Sequence, residues 1–369
     1  MTQSILVSGK FLGDPLTGVQ RHAWEIIRRL LAAKFPLSLI VPEALQIHAS
    51  YEPVPTAGLM RRGKGRGHVW QQLVLPRKID RSAILWTPSG LGSVAVNQQV
   101  LTVHDLSFLD HPEWFSKTYS FVYRLLLPLV MRRALHIITS STFSQQRISE
   151  RLHIALDRIS VIPCAVSATL AARPSTPQDE QKIRDQYNLP ELYILALGSI
   201  EPRKNLQGLI KALQLLQPNH PTLRLVLVGG RAGIYGNVDF PAEIADVVHQ
   251  LGYVPNEHLS TIYRSARVFV YPSLYEGFGM PPLEAMACGA PVITSNTTSL
   301  PEVVGNAALT VPPTDIPALA AAIERVLQDP ALRQQLIQSG YERVSQFSWD
   351  HSAQQSAALL QRLRERTGK

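Results

Sequence analysis

A Gly-rich turn flanked by two carboxylates is the part of this chain best equipped for chemistry. In the stretch 271–292, YPSLYEGFGMPPLEAMACGAPV, an apolar run ends, a turn follows and a helix starts. Gly277 and Gly279 let backbone approach a ligand closely, and Pro281 and Pro282 suit the first turn of a helix. The free N–H groups of that turn, reinforced by the helix dipole, form an anion site. Glu276 precedes the turn and Glu284 follows it within the helix. Carboxylates accept hydrogen bonds from hydroxyls, so the pair suits a ligand with phosphate in its middle and hydroxylated rings at both ends, as in a nucleotide-diphosphate sugar. The plainer alternative is a simple loop, with Glu284 serving only the helix dipole.

A second group is Arg203 and Lys204, adjacent cations in ALGSIEPRKN (196–205), directly after another apolar run. Ligands bind at the carboxyl ends of parallel strands. There a guanidinium fork and an ammonium can neutralise a diphosphate, including the charge that grows as it departs. In the first half, LGDPLTGVQRH (12–22) follows the first apolar run and opens a helix; Gly18 at that turn allows N–H groups to approach an anion in a cleft between domains. VLTVHD (100–105) puts His104 and Asp105 at the end of a further run. One reading has His104 hydrogen-bonding a donor sugar or lining the reaction centre while Asp105 orients a neighbour or holds a loop; the other is a structural histidine.

These groups need a scaffold, and the chain supplies a βαβ rhythm. Apolar, β-branched runs at 5–8, 37–41, 84–86, 100–104, 136–140 and 159–162 alternate with helical patterns, and the rhythm restarts at 193–198, 223–229, 267–271, 291–294 and 307–311. The expectation is α/β: two Rossmann-like, doubly wound parallel sheets. A chain of 369 residues exceeds the ~250–300 at which a single core stops growing. The polar, Pro-containing stretch Ala171–Glu180 reads as a linker, with a hinge near Pro163–Gln178. The expected domains are 1–170, 171–348 and a C-terminal helix over 349–369 whose docking is open.

Composition narrows the classes. Apolar residues at 45% and charged residues at 17% exclude a globally disordered chain. The net charge of +8 favours acidic partners. No nucleic-acid module accompanies it, and no basic–aromatic alternation, so nucleic acid is set aside. Two cysteines, Cys164 and Cys288, make neither a disulfide framework nor a thiolate zinc site, and fit a reducing cytosol. No metal-ligand pattern is found, so no cofactor or metal is expected. The Gly229–Gly233 turn lacks dinucleotide-loop spacing, which rejects hydride chemistry. The N-terminus reads as a strand and not a secretion signal. Arginines and a histidine interrupt Phe121–Ile138, leaving it short of a spanning helix. The basic run Arg61–Gly67 reads as a mobile loop, solvated or else in contact with a phosphate-bearing acceptor or lipid.

From Leu12 to about Trp349 the chain resembles the family 4 retaining glycosyltransferases of the GT-B fold, in which two Rossmann-like domains face a central cleft. The Glu276-to-Glu284 element is similar to that family's donor signature. The resemblance implies that Glu276 contacts sugar hydroxyls, that Glu284 contacts the ribose, and that the backbone of Phe278, Gly279 and Met280 meets the sugar and phosphates. It gives Arg203 and Lys204 the diphosphate clamp, Gly18 the N-terminal glycine loop, and His104 a place near the sugar. The Gly252–Pro255 segment, with Val254, is similar to the loop whose backbone reads the nucleobase. TGVQRH resembles the opening of bacterial polysaccharide mannosyltransferases, a lean toward mannose. The turn at Val161–Val166 departs from the Asn-Gly that many relatives carry after the proline.

The implied activity is retaining transfer of a hexosyl group from a nucleotide-diphosphate sugar to a saccharide or lipid-linked acceptor. It would occur in the cytoplasm, with peripheral contact to an anionic inner membrane face as an option through Phe121–Ile138. A nucleotide-sugar epimerase or hydrolase, or a non-catalytic subunit of an envelope-polysaccharide assembly, are the alternatives.

Overall fold

A computed structural model describes residues 4–51, 53–55, 58–167, 170, 176–230 and 246–367. The chain divides into two units, one made of Met1–Asp110, Lys117–Cys164 and Ser348–Lys369, the other of His111–Ser116 and Ala165–Phe347. Of the stretch read as a linker, Ala171–Ser175 lies outside the described residues, as do Arg231–Gly233 of the turn after Val228.

The first unit holds a seven-stranded parallel sheet: β1 (Ile5–Ser8), β2 (Leu37–Val41), β3 (Leu59–Arg61), β4 (Ile84–Thr87), β5 (Gln99–Thr102), β6 (His136–Thr139) and β7 (Ile159–Val161), in the order β3-β2-β1-β4-β5-β6-β7. Every residue of β1, β4, β5 and β6 is buried, as expected of strands whose two faces are both covered by helices. The second unit repeats the plan with six parallel strands: β8 (Tyr193–Leu197), β9 (Arg224–Val228), β10 (Val248–Gly252), β11 (Val268–Tyr271), β12 (Val292–Ser295) and β13 (Leu309–Val311). Their order is β10-β9-β8-β11-β12-β13. The order reverses beside β8, whose Ile194 and Leu195 pair with Val268 and Phe269 of β11. That is a topological switch point, where open α/β sheets take ligands at the carboxyl ends of their strands. It makes neighbours of two loops about seventy residues apart.

Two strands absent from the sequence reading, β3 and β10, are both sheet edges. Neither carries a buried apolar run: Leu59–Arg61 is partly or fully exposed, and Val248–Gly252 reads VHQLG. Edge strands need only one paired side and leave little periodic signal. The basic run read as a mobile loop begins inside β3. It is tied down by Arg61, which donates to the carbonyls of Glu43 and Leu45 at 3.0 and 2.8 Å, and by the Trp70 indole, which donates to the Arg62 carbonyl at 2.9 Å.

The C-terminal helix Trp349–Thr367 belongs to the first unit and packs against α1 (Gly18–Ala32). α1 turns Ala23, Ile26, Ile27 and Leu30 inward, and the C-terminal helix turns Trp349, Ala353, Leu359, Leu360 and Leu363 inward. Trp349 meets the His22 ring edge-on at 5.8 Å, Arg29 pairs with Asp350 at 2.6 Å, and Ser352 Oγ donates to the Pro163 carbonyl at 2.8 Å.

Candidate functional site

The loop leaving β8 takes its path from glycines. Gly198 and Gly229 have φ of +143° and +123°, and a Cβ on Gly229 would lie 2.1 Å from the Gly198 carbonyl oxygen, so the chain crosses β9 at backbone contact. One helical turn, Pro202–Lys204, then carries the two cations. Asn205 closes it in the left-handed region, its Nδ2 donating to the carbonyls of Pro272 and Pro313 at 3.2 and 2.6 Å. The backbone N–H of Leu274 donates to the Arg203 carbonyl at 2.8 Å, joining this loop to the one that follows β11.

The side chains converge at that junction. Lys204 Nζ lies 2.6 Å from Glu276 Oε1 and 2.5 Å from the Tyr271 hydroxyl, which itself donates to Glu276 Oε1 at 2.8 Å. Arg203 reaches Glu276 Oε2 at 3.4 Å and Glu201 Oε1 at 2.9 Å. All five side chains are buried or nearly so. Burial alone would raise the Glu276 carboxyl, but Lys204 and Arg203 beside it pull its pKa down to about 2. Burial lowers the Lys204 ammonium, with Glu276 opposing that shift, and pushes the Tyr271 phenol well up, so Tyr271 stays a neutral donor. Sequence reading found Arg203, Lys204 and Glu276. It took Glu276 for a hydroxyl acceptor only, whereas the structure also makes it the counter-ion of the cation pair. Glu201, Asn205 and Tyr271 were missed. The signal for Tyr271 was available, since a tyrosine ending a buried strand must find a partner for its hydroxyl.

The turn after Glu276 is held by Ser299, whose Oγ bridges the carbonyls of Glu276 and Phe278 at 2.9 Å each. Gly279, with φ of +102°, starts the helix Met280–Ala287. A Cβ there would stand 2.6 Å from Leu300 Cδ2. Replacing Gly279 with alanine should cost about 1–2 kcal/mol of stability from the left-handed backbone. It should also weaken binding of a phosphate ligand; a titration matching wild type would show that this turn does not meet the ligand. Phe278 is buried edge-on to Phe347 at 5.7 Å. Glu284 lies in the helix and accepts from the Tyr263 hydroxyl at 3.3 Å. Burial, then the Glu284 charge, hold Cys288 up at about 12.

Beyond β10, Gly252 accepts from the Gly229 N–H at 2.8 Å, Tyr253 is exposed and Val254 is buried. The Val254 segment therefore adjoins the end of β9, itself next to β8.

In the first unit, Gly18 opens α1 and a Cβ there would meet nothing within 4 Å, so internal packing does not require glycine. His104 follows β5 with its ring edge-on to His22 at 4.8 Å. Burial lowers His104 to about 4, and burial with the neighbouring His104 lowers His22 to about 3, so both imidazoles are neutral at pH 7. His22 Nε2 meets the Ile162 carbonyl at 3.2 Å, while His104 Nε2 is shielded from solvent and has no protein hydrogen-bond partner. Asp105 accepts from the N–H and hydroxyl of Ser107 at 2.8 and 2.6 Å, starting the next helical turn. His22 lies inside TGVQRH, and nothing in that local pattern marks it for a role.

Comparison with known proteins bears on the whole chain. Residues 16–170 match the family described as Glycosyltransferase Family 4, and residues 178–343 match Glycosyl transferases group 1. The chain is 33% identical to O-antigen chain mannosyltransferase B of Escherichia coli over 370 aligned positions, covering 93% of this chain and 95% of that one. Among solved structures it is similar to sucrose-phosphate synthase from Thermosynechococcus elongatus, with a TM-score of 0.72, 23% identity and coverage of 98% and 99% of the two chains. It is also similar to Anabaena Alr3699/HepE in complex with UDP-glucose, with a TM-score of 0.74, 17% identity and coverage of 97% and 99%.

Proposed function

The chain belongs to the family 4 retaining glycosyltransferases of the GT-B fold, and from that premise we propose that it moves a mannosyl group from a nucleotide-diphosphate sugar to a hydroxyl of a saccharide or lipid-linked acceptor. The observation that carries this reading is the convergence of Arg203, Lys204 and Glu276 with the Gly279 turn at the switch point between β8 and β11. The mannosyl choice rests on the likeness to the E. coli O-antigen enzyme. On this reading the reaction takes place in the cytoplasm. Among the described residues no helix is long and apolar enough to cross a membrane.

In the proposed mechanism the diphosphate lies against the start of the helix Met280–Ala287, its charge met by the backbone N–H groups, Arg203 and Lys204. Lys204 has three N–H donors; Glu276 and Tyr271 engage two and aim the third at a phosphate oxygen. The remaining lone pairs of Glu276 accept from sugar hydroxyls, Glu284 takes the ribose, and the backbone around Val254 meets the base. On this reading His104 stands near the sugar, and Gly18 leaves room for an anionic group at the start of α1. The bond from the sugar anomeric carbon to phosphate breaks as the acceptor oxygen bonds to the same face of that carbon. The acceptor proton passes to the departing phosphate.

The test is thermal unfolding of the full chain with a panel of nucleoside diphosphates, followed by turnover of the best-bound donor with and without acceptor extract. A matching nucleotide at one hundred times its Kd should stabilise by about 2.7 kcal/mol. Transfer should require acceptor. No shift with any nucleotide would overturn the donor site, and donor consumption without acceptor would overturn transfer as the activity.

A further inference from the structure

Four segments of the first unit meet around one buried histidine. His22 lies on α1 and is fully buried. Its Nε2 stands 3.2 Å from the carbonyl of Ile162, just after β7, and its ring is edge-on at 4.8 Å to that of His104, just after β5. Trp349, at the start of the C-terminal helix, meets it edge-on at 5.8 Å. Three nitrogens here are shielded from solvent without a hydrogen-bond partner: His22 Nδ1, His104 Nε2 and Trp349 Nε1. A shielded polar atom left unpaired costs free energy, so three of them gathered in one place call for a physical account.

The chemistry of the rings assigns their protons. A carbonyl oxygen only accepts, so His22 Nε2 carries the hydrogen of its bond to Ile162. Burial keeps His22 neutral at pH 7, which leaves its Nδ1 bare, able to accept and not to donate. The shielded nitrogen of the adjacent ring, His104 Nε2, supplies the missing donor when it carries the His104 hydrogen. His104 is neutral as well, so a hydrogen on Nε2 leaves its Nδ1 bare. His104 is half-buried, and Nδ1 is not among its shielded atoms.

We propose that His22 is a positioning residue for His104: its Nδ1 accepts from His104 Nε2, which fixes the His104 tautomer and leaves His104 Nδ1 to accept from a substrate hydroxyl. The line of bonds then runs from that hydroxyl through His104 and His22 to the Ile162 carbonyl. It ends on an oxygen that does not take up a proton at neutral pH, so it orients the hydroxyl and transfers nothing. Trp349 Nε1 competes for the same lone pair, and the shorter ring separation, 4.8 against 5.8 Å, favours His104. The presence of a substrate hydroxyl at His104 rests on the proposed function; the pairing of the two rings does not.

The experiment is NMR of the full chain carrying isotope-labelled histidine nitrogens, at pH 7 and without nucleotide. His22→Gln and His104→Gln assign the two rings by loss of their signals. In wild type both rings should show a protonated Nε2 and a bare Nδ1. His22→Phe keeps an aromatic ring in place without an acceptor, and His104 should then divide between its two tautomers. In turnover, His22→Phe should lower kcat/KM for the donor about tenfold, and His22→Gln, which again offers an acceptor, should restore most of it. A proton on His104 Nδ1 in wild type, a His104 signature unmoved in His22→Phe, or a fall in kcat/KM that His22→Gln does not reverse would overturn the proposal. So would a His22 Nδ1 signal that moves in Trp349→Phe and not in His104→Gln, which would give the lone pair to the indole. The wild-type tautomers are read without donor or acceptor, so a chain found to lack transfer would overturn the proposed function and leave this pairing to be judged on its own.

Discussion

Replacing Lys204 with alanine is expected to lower turnover by about 10²–10³-fold, the loss seen when one preorganised donor is removed from a site of developing negative charge. The ammonium is buried between Glu276 and the Tyr271 hydroxyl, at 2.6 and 2.5 Å, so its position is set before any ligand arrives. That preorganisation makes the charge effective, because no reorganisation is needed as the phosphate leaves. Removing it also leaves Glu276 with Arg203 at 3.4 Å as its remaining cation, and burial then drives the carboxyl upward. A double-mutant cycle separates the two consequences. If Lys204 acts on the phosphate directly, Glu276→Gln alone should cost less in turnover than Lys204→Ala. If Lys204 serves only to neutralise Glu276, the double variant should recover most of the lost rate. Turnover of Lys204→Ala within a few-fold of wild type would remove the clamp from the mechanism.

The second large effect is on stability in mild acid. His22, His104 and His136 have folded-state values of about 3, about 4 and about 4, in each case chiefly because burial penalises the charged ring. Unfolding returns each to its ordinary value near 6.5. Between about pH 6.5 and 4 the unfolded chain therefore binds more protons than the folded one, and stability rises with pH across that window. At pH 4.5 each histidine should have forfeited about 2.5 kcal/mol relative to pH 7.5, and the three together fall within the range of a typical domain's whole stability. Glu276, lowered from 4.5 to about 2, extends the loss in the same direction but only below about pH 4.5. Urea unfolding from pH 7.5 to 4.5 should show a steadily falling midpoint, and His136→Gln should flatten part of the slope. A midpoint constant from pH 7 to 5 would mean that these rings gain protons without unfolding.

The strands that can be read from sequence are those buried on both faces, because only these require unbroken β-branched runs; Ile5–Ser8 and Tyr193–Leu197 are examples. Leu59–Arg61 and Val248–Gly252 escape because an edge position asks so little of its residues. At the site, the residue types and their places after strands were legible for Arg203, Lys204, Glu276 and Gly279. Their mutual contact was not, because it depends on β8 lying next to β11, which no local pattern encodes. Glu201 and Tyr271 were missed for a related reason. A buried carboxylate and a buried phenol declare themselves only through the partners they acquire from elsewhere in the chain. His22 is the same case, since its pairing with His104 brings together two segments with no shared motif.

The helix Trp349–Thr367, which packs against α1, makes the first unit discontinuous in sequence, and that bears on the order in which its parts are synthesised. The second unit is encoded almost wholly between Ala165 and Phe347, whereas the first draws on residues to either side of that stretch. As synthesis proceeds from the N-terminus, the seven-stranded sheet emerges before Trp349–Thr367, so α1 gains its packing against that helix only after every strand of the second unit has been made. A chain cut before Trp349 would therefore hold all six strands of the second unit while α1 lacks the helix that packs on it.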